Sequence, residues 1–517
     1  MRRHIFWIMT FCVLIIAGCS RQQSKPHYLE AKSNVTLKEH TKEFRKEVIN
    51  VTDGVYVAVG FGVANSIMIE GDDGLIIVDT MTTSAEAETV LAEFRKISSK
   101  PVAAIIYTHN HADHILGATT FAKEGKNVDV YAHDTTAYYI DRIVNVIRPI
   151  ISIRGARMFG NNLNREAIEN VGLGPYFGFK PGIKLETLRP TITFKDTMET
   201  NIAGVKVELI HAPGETNDQI YVWLPEKRAL LPGDNFYKAF PNLYTIRGTC
   251  YRDVMQWAKS IDIIREKRPE YLVPSHTRPI KGEERIFNIL TDYRDAIQYV
   301  HDQTIRGINQ GLTPDEIVET VKLPEHLAQS PYLQEFYGKV DWSVRSVFSG
   351  YIGWFDGNPT NLNPLPFDER ARRYVKLGGG EKKMTSIAET AFGNGDYQWV
   401  LDLTDHLLKV NKENAAAKEF RVKALTALGE AQLNANARHY YLSSAVELRD
   451  GFQSKFEVAP TLRMIHSIPL ESIFTSMAVN LDAEKTISIQ KKVNFNFPDT
   501  KEAYSVYLRN GVAEIHP

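Results

Sequence analysis

Short apolar runs separated by turn residues characterise the first part of the chain. Three such runs lie between residues 48 and 80, and they are rich in the β-branched residues that favour strands. Asp72, Asp73 and Gly74 supply turn chemistry between the last two runs. The pattern predicts a β-meander with strands at 55–59, 65–69 and 74–79.

Helical and strand-like patterns alternate over the next part of the chain, which is typical of an α/β domain. Pro149 is expected to end one of the helices. A Gly- and Asn-rich stretch with little periodicity predicts a long loop, and such loops often form lids or substrate walls. The predicted order is helix 84–97, strands 102–107 and 128–132, helix 135–147, loop 154–182, and strands 205–210 and 220–224.

From about residue 292 the pattern becomes helical. The Ala-rich pairs after residue 384 resemble tetratricopeptide-type helical hairpins, although about two pairs are present. The segment 342–366 contains a loop-like Gly-Trp-Phe-Asp-Gly-Asn-Pro stretch. After residue 457 the pattern is mixed again, with strands expected at 485–495 and 504–508. The predicted helices are 293–310, 313–322, 385–392, 397–410, 414–428 and 434–448.

Composition and charge indicate an ordinary globular protein with several domains. The 517 residues are 43% apolar and 24% charged, and 61 basic residues face 62 acidic ones. The absence of a basic excess argues against nucleic acid as a partner. An anionic ligand would need a local basic patch.

The N-terminus resembles a bacterial lipoprotein signal, with a charged start, a short apolar stretch and Ile16-Ala17-Gly18-Cys19 in the manner of a lipobox. We therefore expect residues 1–19 to be a signal peptide with lipidation of Cys19, and residues 20–40 to be a tether. Ser20 favours an outer-membrane anchor facing the periplasm or exterior. The alternative is a plain secretory signal with an incidental cysteine. An acylated Cys19 would leave Cys250 without a disulfide partner.

A cluster of metal-ligand residues follows the predicted strand 102–107. His109, His111, Asp113 and His114 form an H-x-H-x-D-H motif at the carboxyl end of that strand, where ligand sites of open α/β sheets collect. Imidazole with carboxylate favours zinc, with iron or manganese possible. Surface histidines on a loop are the alternative, but four ligand-type residues in six positions favour a metal site.

Four more ligand-type residues follow other apolar runs: Asp79, Glu215, Asp234 and His276. Asp79 could orient a ligand histidine or a metal-bound water. It could equally cap the helix expected to begin near Thr82. The convergence of so many such residues on strand ends predicts one composite metal site.

This set of motifs resembles the metallo-β-lactamase superfamily between Val48 and Lys281. The resemblance implies an αββα sandwich with two metal ions, here assigned to a domain spanning residues 41–290. Most of the superfamily carries histidine where Glu215 stands in Pro-Gly-Glu. A glutamate at this position, together with the sequences of residues 242–248 and 354–359, is similar to what is found in the alkyl sulfatases.

The alkyl sulfatase resemblance implies further domains and a mechanism. It implies an all-α dimerisation domain at 291–450, a homodimer, and a partial α+β sterol-carrier-protein-like domain at 457–517. Asp113 and Asp234 are the expected catalytic residues, although a glutamate is expected where Asp234 stands. The resemblance assigns one Zn²⁺ to His109, His111 and Glu215, and a second to Asp113, His114 and His276, with Asp234 bridging and other divalent metals possible.

The implied reaction is hydrolysis of an alkyl sulfate monoester by metal-activated water. Arg247 offers a bidentate fork to the sulfate oxygens, Asn242 offers an amide donor, and Tyr176 is a weaker candidate substrate contact. The rival enzyme class is a hydrolase of another ester, a lactone or a β-lactam, which would not need this anion clamp. A non-enzymatic rival is a surface lipoprotein that uses its helical hairpins as an interaction scaffold.

Overall fold

Two β-sheets facing one another form the centre of the domain predicted at residues 41–290, which we call the catalytic half. The computed structural model describes residues 29–179, 183–455, 458–462 and 466–517. The first sheet has seven strands in the order β1-β2-β3-β4-β5-β6-β8. Its strands are β1 Glu47–Thr52, β2 Val55–Val59, β3 Ser66–Glu70, β4 Leu75–Val78, β5 Val102–Ile106, β6 Asp129–His133 and β8 Ile192–Phe194.

The second sheet has six strands in the order β14-β13-β12-β11-β10-β9. Its strands are β9 Thr197–Ile202, β10 Val205–His211, β11 Ile220–Leu224, β12 Ala229–Leu231, β13 Tyr271–Leu272 and β14 Ile280–Lys281. Strands β12 and β13 run parallel, so the segments that follow them leave the sheet on the same side. Asp234 and His276 lie in those segments.

The predicted β-meander is confirmed by the way its strands pair. Glu70 pairs with Leu75 across a tight turn in which the Gly71 amide donates to the Gly74 carbonyl at 2.9 Å. The next strand pairs parallel, with Val78 opposite Ile106. Because β4 and β5 point the same way, Asp79 and the histidine motif leave the sheet side by side.

The αββα prediction is confirmed by the packing of both sheets. One apolar cluster, including Ile67, Ile106, Val207 and Val222, fills the space between them. The outer faces are covered by helices that bury side chains such as Phe94 and Trp257. The helices of this region are Ser84–Phe94, Ala112–Ile115, Ala118–Ala122, Thr136–Asp141, Arg148–Met158, Arg165–Ile168 and Val254–Glu266, with 3-10 turns at Thr41–Phe44, Pro225–Lys227 and Gly233–Asn235.

The region 135–182 differs from the prediction. The first helix ends at Asp141 and continues as a π-helical turn, Arg142–Val146. A new helix, Arg148–Met158, then begins with Pro149 in its first turn, where proline is favourable rather than disruptive. The predicted loop from residue 154 is therefore wrong over the end of this helix and over Arg165–Ile168, and correct for the irregular chain at 170–179.

The helical part is confirmed as all-α, but its predicted start at residue 291 falls inside the long helix Glu283–Asn309. The helix Val340–Ile352 covers the beginning of the segment 342–366, and the loop-like chain lies at 353–366 around a 3-10 turn, Pro359–Asn361. The other helices are Pro314–Thr320, Glu325–Ala328, Phe367–Leu377, Glu381–Gly393, Tyr397–Val410, Ala415–Ala431 and Ala435–Asp450.

One asparagine ties the last of these helices to the chain around Tyr337. The Asn434 side-chain oxygen accepts from the Ala437 amide and so caps the helix Ala435–Asp450. Its amide nitrogen donates to the carbonyl of Tyr337 at 2.8 Å. Asn436 donates to the same carbonyl at 3.0 Å. The helix end therefore fixes the backbone at Tyr337.

A small α+β unit ends the chain, as predicted. The helices Leu470–Val479 and Ala483–Thr486 precede an antiparallel sheet of β16 Lys491–Phe497, β17 Glu502–Arg509 and β18 Val512–His516. The strand predicted at 485–495 therefore begins later, at Lys491. Phe474, Tyr504 and Val506 form its buried centre. Two short strands, β7 Ile183–Leu185 and β15 Val458–Pro460, pair in parallel between this unit and the catalytic half.

The N-terminal segment is partly packed, in contrast to the predicted tether at 20–40. Leu29 and Leu37 are buried, and Val35–His40 is a helix capped by Asn34. The Leu29 amide donates to the side chain of Asn164 at 2.9 Å. The tether prediction is therefore wrong from Leu29 onward. Residues 1–28, which include the predicted signal peptide and Cys19, lie outside the described residues. No helix among the described residues is long and apolar enough to cross a bilayer.

Candidate active site

Asp79 is a buried carboxylate that holds several residues of the site in place by hydrogen bonds. It follows β4 with a φ of +57° and is fully buried. Its carboxylate accepts from the Thr108 amide at 2.9 Å, from the Ser275 hydroxyl at 2.6 Å and from His114 Nδ1 at 2.7 Å. The helix after it is capped by Thr83 instead. The orienting role of Asp79 is therefore supported, and the capping alternative is wrong.

Three histidines have their Nδ1 atoms engaged by the protein. His114 Nδ1 donates to Asp79, and His276 Nδ1 donates to the Val63 carbonyl at 2.8 Å. His109 Nδ1 lies 3.0 Å from the Thr108 hydroxyl, which itself donates to Asp79. These contacts occupy Nδ1 of each ring and direct Nε2 towards the position where a metal ion would bind.

Two groups of potential ligands result. In each group the ligand atoms lie within 4.8 Å of one another: His109, His111 and Asp234 in one, and Asp113, His114 and His276 in the other. Asp234 Oδ2 reaches towards both, at 3.6 Å from His109 Nε2 and 3.2 Å from His276 Nε2. This position between the groups is what a bridging carboxylate requires.

The residues present fit a divalent metal. The buried Nε2 atoms of His109 and His114 have no hydrogen-bond partner, which is costly for the protein alone and is relieved by a cation. Imidazole nitrogens together with carboxylate oxygens form a ligand set suited to zinc and similar ions. The arrangement is therefore a candidate site for divalent metal.

The charges of the site favour an ionised Asp234. Burial alone would raise its pKa, but His276, His114 and His109 together hold that pKa well below the ordinary value. Burial, reinforced by the charge of His114, lowers the pKa of His109 to about 4, so this ring is a neutral ligand at physiological pH. Burial would lower the pKa values of His114 and His276, but the nearby carboxylates, Asp234 foremost, raise them, so a metal ion would displace a proton from these two rings.

Glu215 lies beside these groups but is paired with protein. Its Oε1 accepts from Arg252 Nη1 at 2.7 Å, and its Oε2 accepts from the Tyr237 hydroxyl at 3.2 Å. Burial raises the pKa of Glu215 to about 7 despite the neighbouring Arg252 charge. Its role as a metal ligand stays a prediction. Arg252 and Tyr237 were missed because no local pattern in the sequence links them to Glu215.

An apolar cavity of about 160 Å³ opens directly onto the ligand groups. Asp113, Asp234 and His276 form its polar end, and Arg247 lies at its edge. We call this space the tail cavity. Its remaining wall is largely aliphatic and aromatic, including Ile115, Leu116, Ile140, Ile143, Ile151, Phe159, Phe177, Phe179 and Tyr337.

Arg247 is held at the boundary of the tail cavity. Its Nη2 lies 3.0 Å from His111 Nε2, and its Nη1 donates to the Gly248 carbonyl at 3.2 Å. The preceding carbonyl, that of Ile246, accepts two hydrogen bonds from Arg154, at 3.0 and 2.6 Å. Arg247 therefore lies next to the candidate metal ligands, and its contact with substrate stays a prediction.

The other two predicted substrate contacts are placed differently. The Tyr176 hydroxyl donates to the Phe61 carbonyl at 2.9 Å, and its neighbours Phe177 and Phe179 line the tail cavity instead. Tyr176 itself is not part of the described cavity wall, and its contact with substrate stays a prediction. Asn242 is fully buried with both side-chain polar atoms unpartnered, and it is not part of the described cavity wall. Its contact with substrate stays a prediction.

Tyr337 is a site residue that sequence reasoning missed. It comes from the helical half of the chain and completes the tail cavity. Burial, with Glu215 nearby, raises its pKa above the ordinary tyrosine value, so the phenol is neutral. It stands 61 residues beyond the last predicted ligand, His276, with no motif around it. Only tertiary packing could have revealed it.

Three family models match the chain in succession. The metallo-β-lactamase superfamily model matches residues 59–276, the alkyl sulfatase dimerisation model matches 313–451, and the alkyl sulfatase C-terminal model matches 459–516. These ranges correspond to the αββα sandwich, the helical part and the terminal α+β unit. The likeness of the last unit to sterol-carrier proteins stays a prediction.

Whole-chain relatives agree with these models. A linear primary-alkylsulfatase from Pseudomonas sp. is 39% identical over 470 residues, covering 87% of this chain and 88% of the relative. An alkyl/aryl-sulfatase from Saccharomyces cerevisiae is 31% identical over 476 residues, covering 90% and 73%. The solved structure of a stereoselective inverting sec-alkylsulfatase from Pseudomonas sp. superimposes with a TM-score of 0.87 at 28% identity, over 93% of this chain and 77% of that one. The chain thus belongs to the alkylsulfatase family of the metallo-β-lactamase superfamily.

Proposed function

We propose that this protein hydrolyses sulfate monoesters of medium-chain alkyl alcohols to the alcohol and inorganic sulfate. The observation that carries the proposal is the juxtaposition of the ligand groups, a guanidinium and an apolar cavity. Arg247 lies 3.0 Å from His111 at the edge of the tail cavity. A substrate with an anionic head and an aliphatic tail matches this polarity, and the relatives are named as enzymes for such substrates.

We propose two Zn²⁺ ions as the cofactor. His109, His111 and Asp234 would hold one, with Glu215 as a further candidate ligand, and Asp113, His114 and His276 would hold the other. Such ions would lower the pKa of a bound water molecule and stabilise negative charge that develops in the transition state. The donor set accommodates other divalent ions as well.

The protein's own groups supply orientation and proton transfer. Asp113 Oδ2 lies 3.4 Å from His114 Nε2. Burial would raise the pKa of Asp113, but the imidazole rings of His114 and His276 hold it below its ordinary value. Asp113 is therefore an anionic acceptor that can orient the attacking water and take its proton. Arg247 can place two N–H groups on the sulfate oxygens, while the apolar wall of the tail cavity excludes bulk water from the ester.

The alternatives from sequence predict different preferences. A hydrolase of carboxylic esters, lactones or β-lactams has no use for a guanidinium at the edge of the ligand groups. An interaction scaffold has no use for buried imidazoles with free Nε2 atoms. Both features are present, and both favour an enzyme for an anionic ester.

We also propose the assembly and location of the protein. The match to a dimerisation model supports a homodimer formed by the helical part. Exposed apolar side chains at Tyr351, Ile352, Trp354 and Leu362 provide a surface that a second copy could cover. The lipobox-like sequence of residues 16–19 supports lipidation of Cys19 and an outer-membrane location facing the periplasm or exterior.

Replacement of Arg247 tests the substrate proposal. A charge-assisted hydrogen bond contributes about 1.5–3 kcal/mol, so Arg247→Ala should lower kcat/KM for a medium-chain alkyl sulfate by roughly one to two decades. Zinc content should not change, because the Arg247 side chain is not a ligand. Arg247→Lys should restore only part of the loss, since an ammonium cannot bind two oxygens in a fork.

The same assay should include a lactone, a carboxylic ester and a chromogenic β-lactam. If Arg247→Ala hydrolyses alkyl sulfate as fast as the parent enzyme, the anion-clamp argument is wrong. If lactones are much better substrates than every sulfate ester, the sulfatase proposal is withdrawn and only a metal-dependent hydrolase remains.

A further inference from the structure

A second cavity, of about 250 Å³, lies on the other side of Arg247. It shares with the tail cavity a common wall that includes Asn110, His111, Ile143 and Arg247. The two spaces therefore adjoin at these residues, beside the candidate metal ligands, while most of their other lining residues differ. We call the second space the arginine cavity.

The two cavities differ in charge. Four arginines border the second one: Arg142, Arg154, Arg247 and Arg252. Among its described lining residues Glu215 is the one acid, and that carboxylate is already paired with Arg252 at 2.7 Å. The tail cavity instead combines a largely apolar wall with two arginines, Arg148 and Arg247, and two carboxylates, Asp113 and Asp234. With four arginines and one paired acid, the arginine cavity is the more favourable path for an anion.

Arg252 supplies independent evidence for an anionic ligand. It is 2% exposed, yet its Nε and Nη2 atoms have no hydrogen-bond partner. Buried guanidinium N–H groups without acceptors are costly, and a passing anion would satisfy them. Arg142 is exposed at the π-helical turn, and no carboxylate among the described residues pairs with it, whereas Arg154 donates to the Ile246 carbonyl. Free donors therefore lie both deep in the cavity and at its outer end.

We propose that the arginine cavity is the exit route for inorganic sulfate, separate from the tail cavity. The inference rests on the proposed function. Hydrolysis of an alkyl sulfate anion by water yields a neutral alcohol, the sulfate dianion and one proton released to solvent. The alcohol retains the apolar tail that fills the tail cavity. Passing a dianion through that apolar space would remove its hydration without replacement, whereas the arginine cavity supplies donors along the way.

Obstruction of the outer end is the first test. Thr249 is exposed and lines the arginine cavity but not the tail cavity. In the metal-loaded enzyme, Thr249→Trp should lower kcat several-fold. Stopped-flow measurement with an alkyl sulfate should then show a burst of alcohol, close to one per site, before slow steady turnover. Thr390→Trp, at an exposed position of the helical part, should behave as the parent enzyme does.

Removal of one positive charge is the second test. Arg142→Gln should weaken binding of inorganic sulfate, measured as its product-inhibition constant and by calorimetry, by about three- to tenfold, as expected for one partly exposed charge on an anion route. Arg142→Lys should retain most of the affinity. Arg148→Gln is the matched control, because it removes the same charge from the same region but borders the tail cavity.

The outcomes separate this inference from the proposed function. An enzyme that hydrolyses alkyl sulfates, with no burst in Thr249→Trp and equal effects of Arg142→Gln and Arg148→Gln on sulfate binding, would overturn the separate exit alone. A parent enzyme with no activity on any alkyl sulfate would overturn both. A burst together with selective loss of sulfate affinity in Arg142→Gln would support the route.

Discussion

Replacing Asp79 by asparagine should weaken the metal site without unfolding the protein. Asn has nearly the same shape as Asp and tolerates the left-handed φ of +57° found here. Its side-chain oxygen can still accept from the Thr108 amide, which lies 2.9 Å from Asp79 Oδ1. Its amide nitrogen, however, would face His114 Nδ1 at the position of Oδ2, where the carboxylate now accepts at 2.7 Å.

The size of the effect follows from this contact. Two donors cannot face each other, so His114 would lose its proton at Nδ1 and carry it on Nε2, the atom that should bind the metal. The lost charge-assisted hydrogen bond is worth about 1.5–3 kcal/mol, which corresponds to roughly one to two decades in affinity. Loss of a carboxylate that orients a ligand histidine typically lowers metal affinity by about 10–100-fold.

Competition with a chromogenic chelator, monitored as zinc is withdrawn, measures this affinity directly. One zinc per chain should become easier to remove in Asp79→Asn, while the ion held by His109 and His111 should be affected less. Asp73→Asn, an exposed position in the turn before β4, is the matched control and should not differ from the parent. Unchanged affinity for both ions in Asp79→Asn would refute the argument that Asp79 controls the His114 tautomer.

Three further predictions concern the fold, the assembly and the anchor. Arg252→Met should lower the free energy of unfolding, measured by urea denaturation, by about 3–5 kcal/mol, because it strands the buried Glu215 carboxylate; a loss below about 1 kcal/mol would contradict this. Sedimentation of a form begun after Cys19 should show two chains per particle, and a monomer at micromolar concentration would argue against the helical interface. Cys19→Ser should block processing or release the protein from membranes, and normal membrane partitioning of the variant would disprove lipidation.

The metal site could be predicted because its residues follow simple rules. Parallel strands deliver the residues after them to one edge of a sheet, so Asp79 and the histidine motif had to be neighbours once the strands were recognised. The same argument applies to Asp234 and His276 after β12 and β13. Backbone periodicity was sufficient here, and no long-range side-chain packing had to be known.

The remaining parts depended on information that the local sequence does not hold. The sequence pattern predicts a helix end at Pro149, yet proline fits equally well in a first helical turn, and the choice depends on what the helix packs against. The pairing of Arg252 with Glu215 and the hydroxyl of Tyr176 on the Phe61 carbonyl are set by tertiary contacts. The N-terminal segment looked like a tether because its few apolar residues, such as Leu29 and Leu37, gain burial only against distant elements.

The position of Tyr337 has a consequence for anyone who wishes to engineer a smaller enzyme. The tail cavity borrows this wall residue from the helical part, and the carbonyl of Tyr337 is fixed by Asn434 and Asn436 at the start of the helix Ala435–Asp450. A fragment truncated after the αββα sandwich would retain all the predicted metal ligands but would lack Tyr337, so its tail cavity would be open to water. Domain exchange between relatives should therefore transfer the αββα sandwich and the helical part together. Both contribute to the wall of the tail cavity, so we expect both to determine which alkyl chain length is preferred.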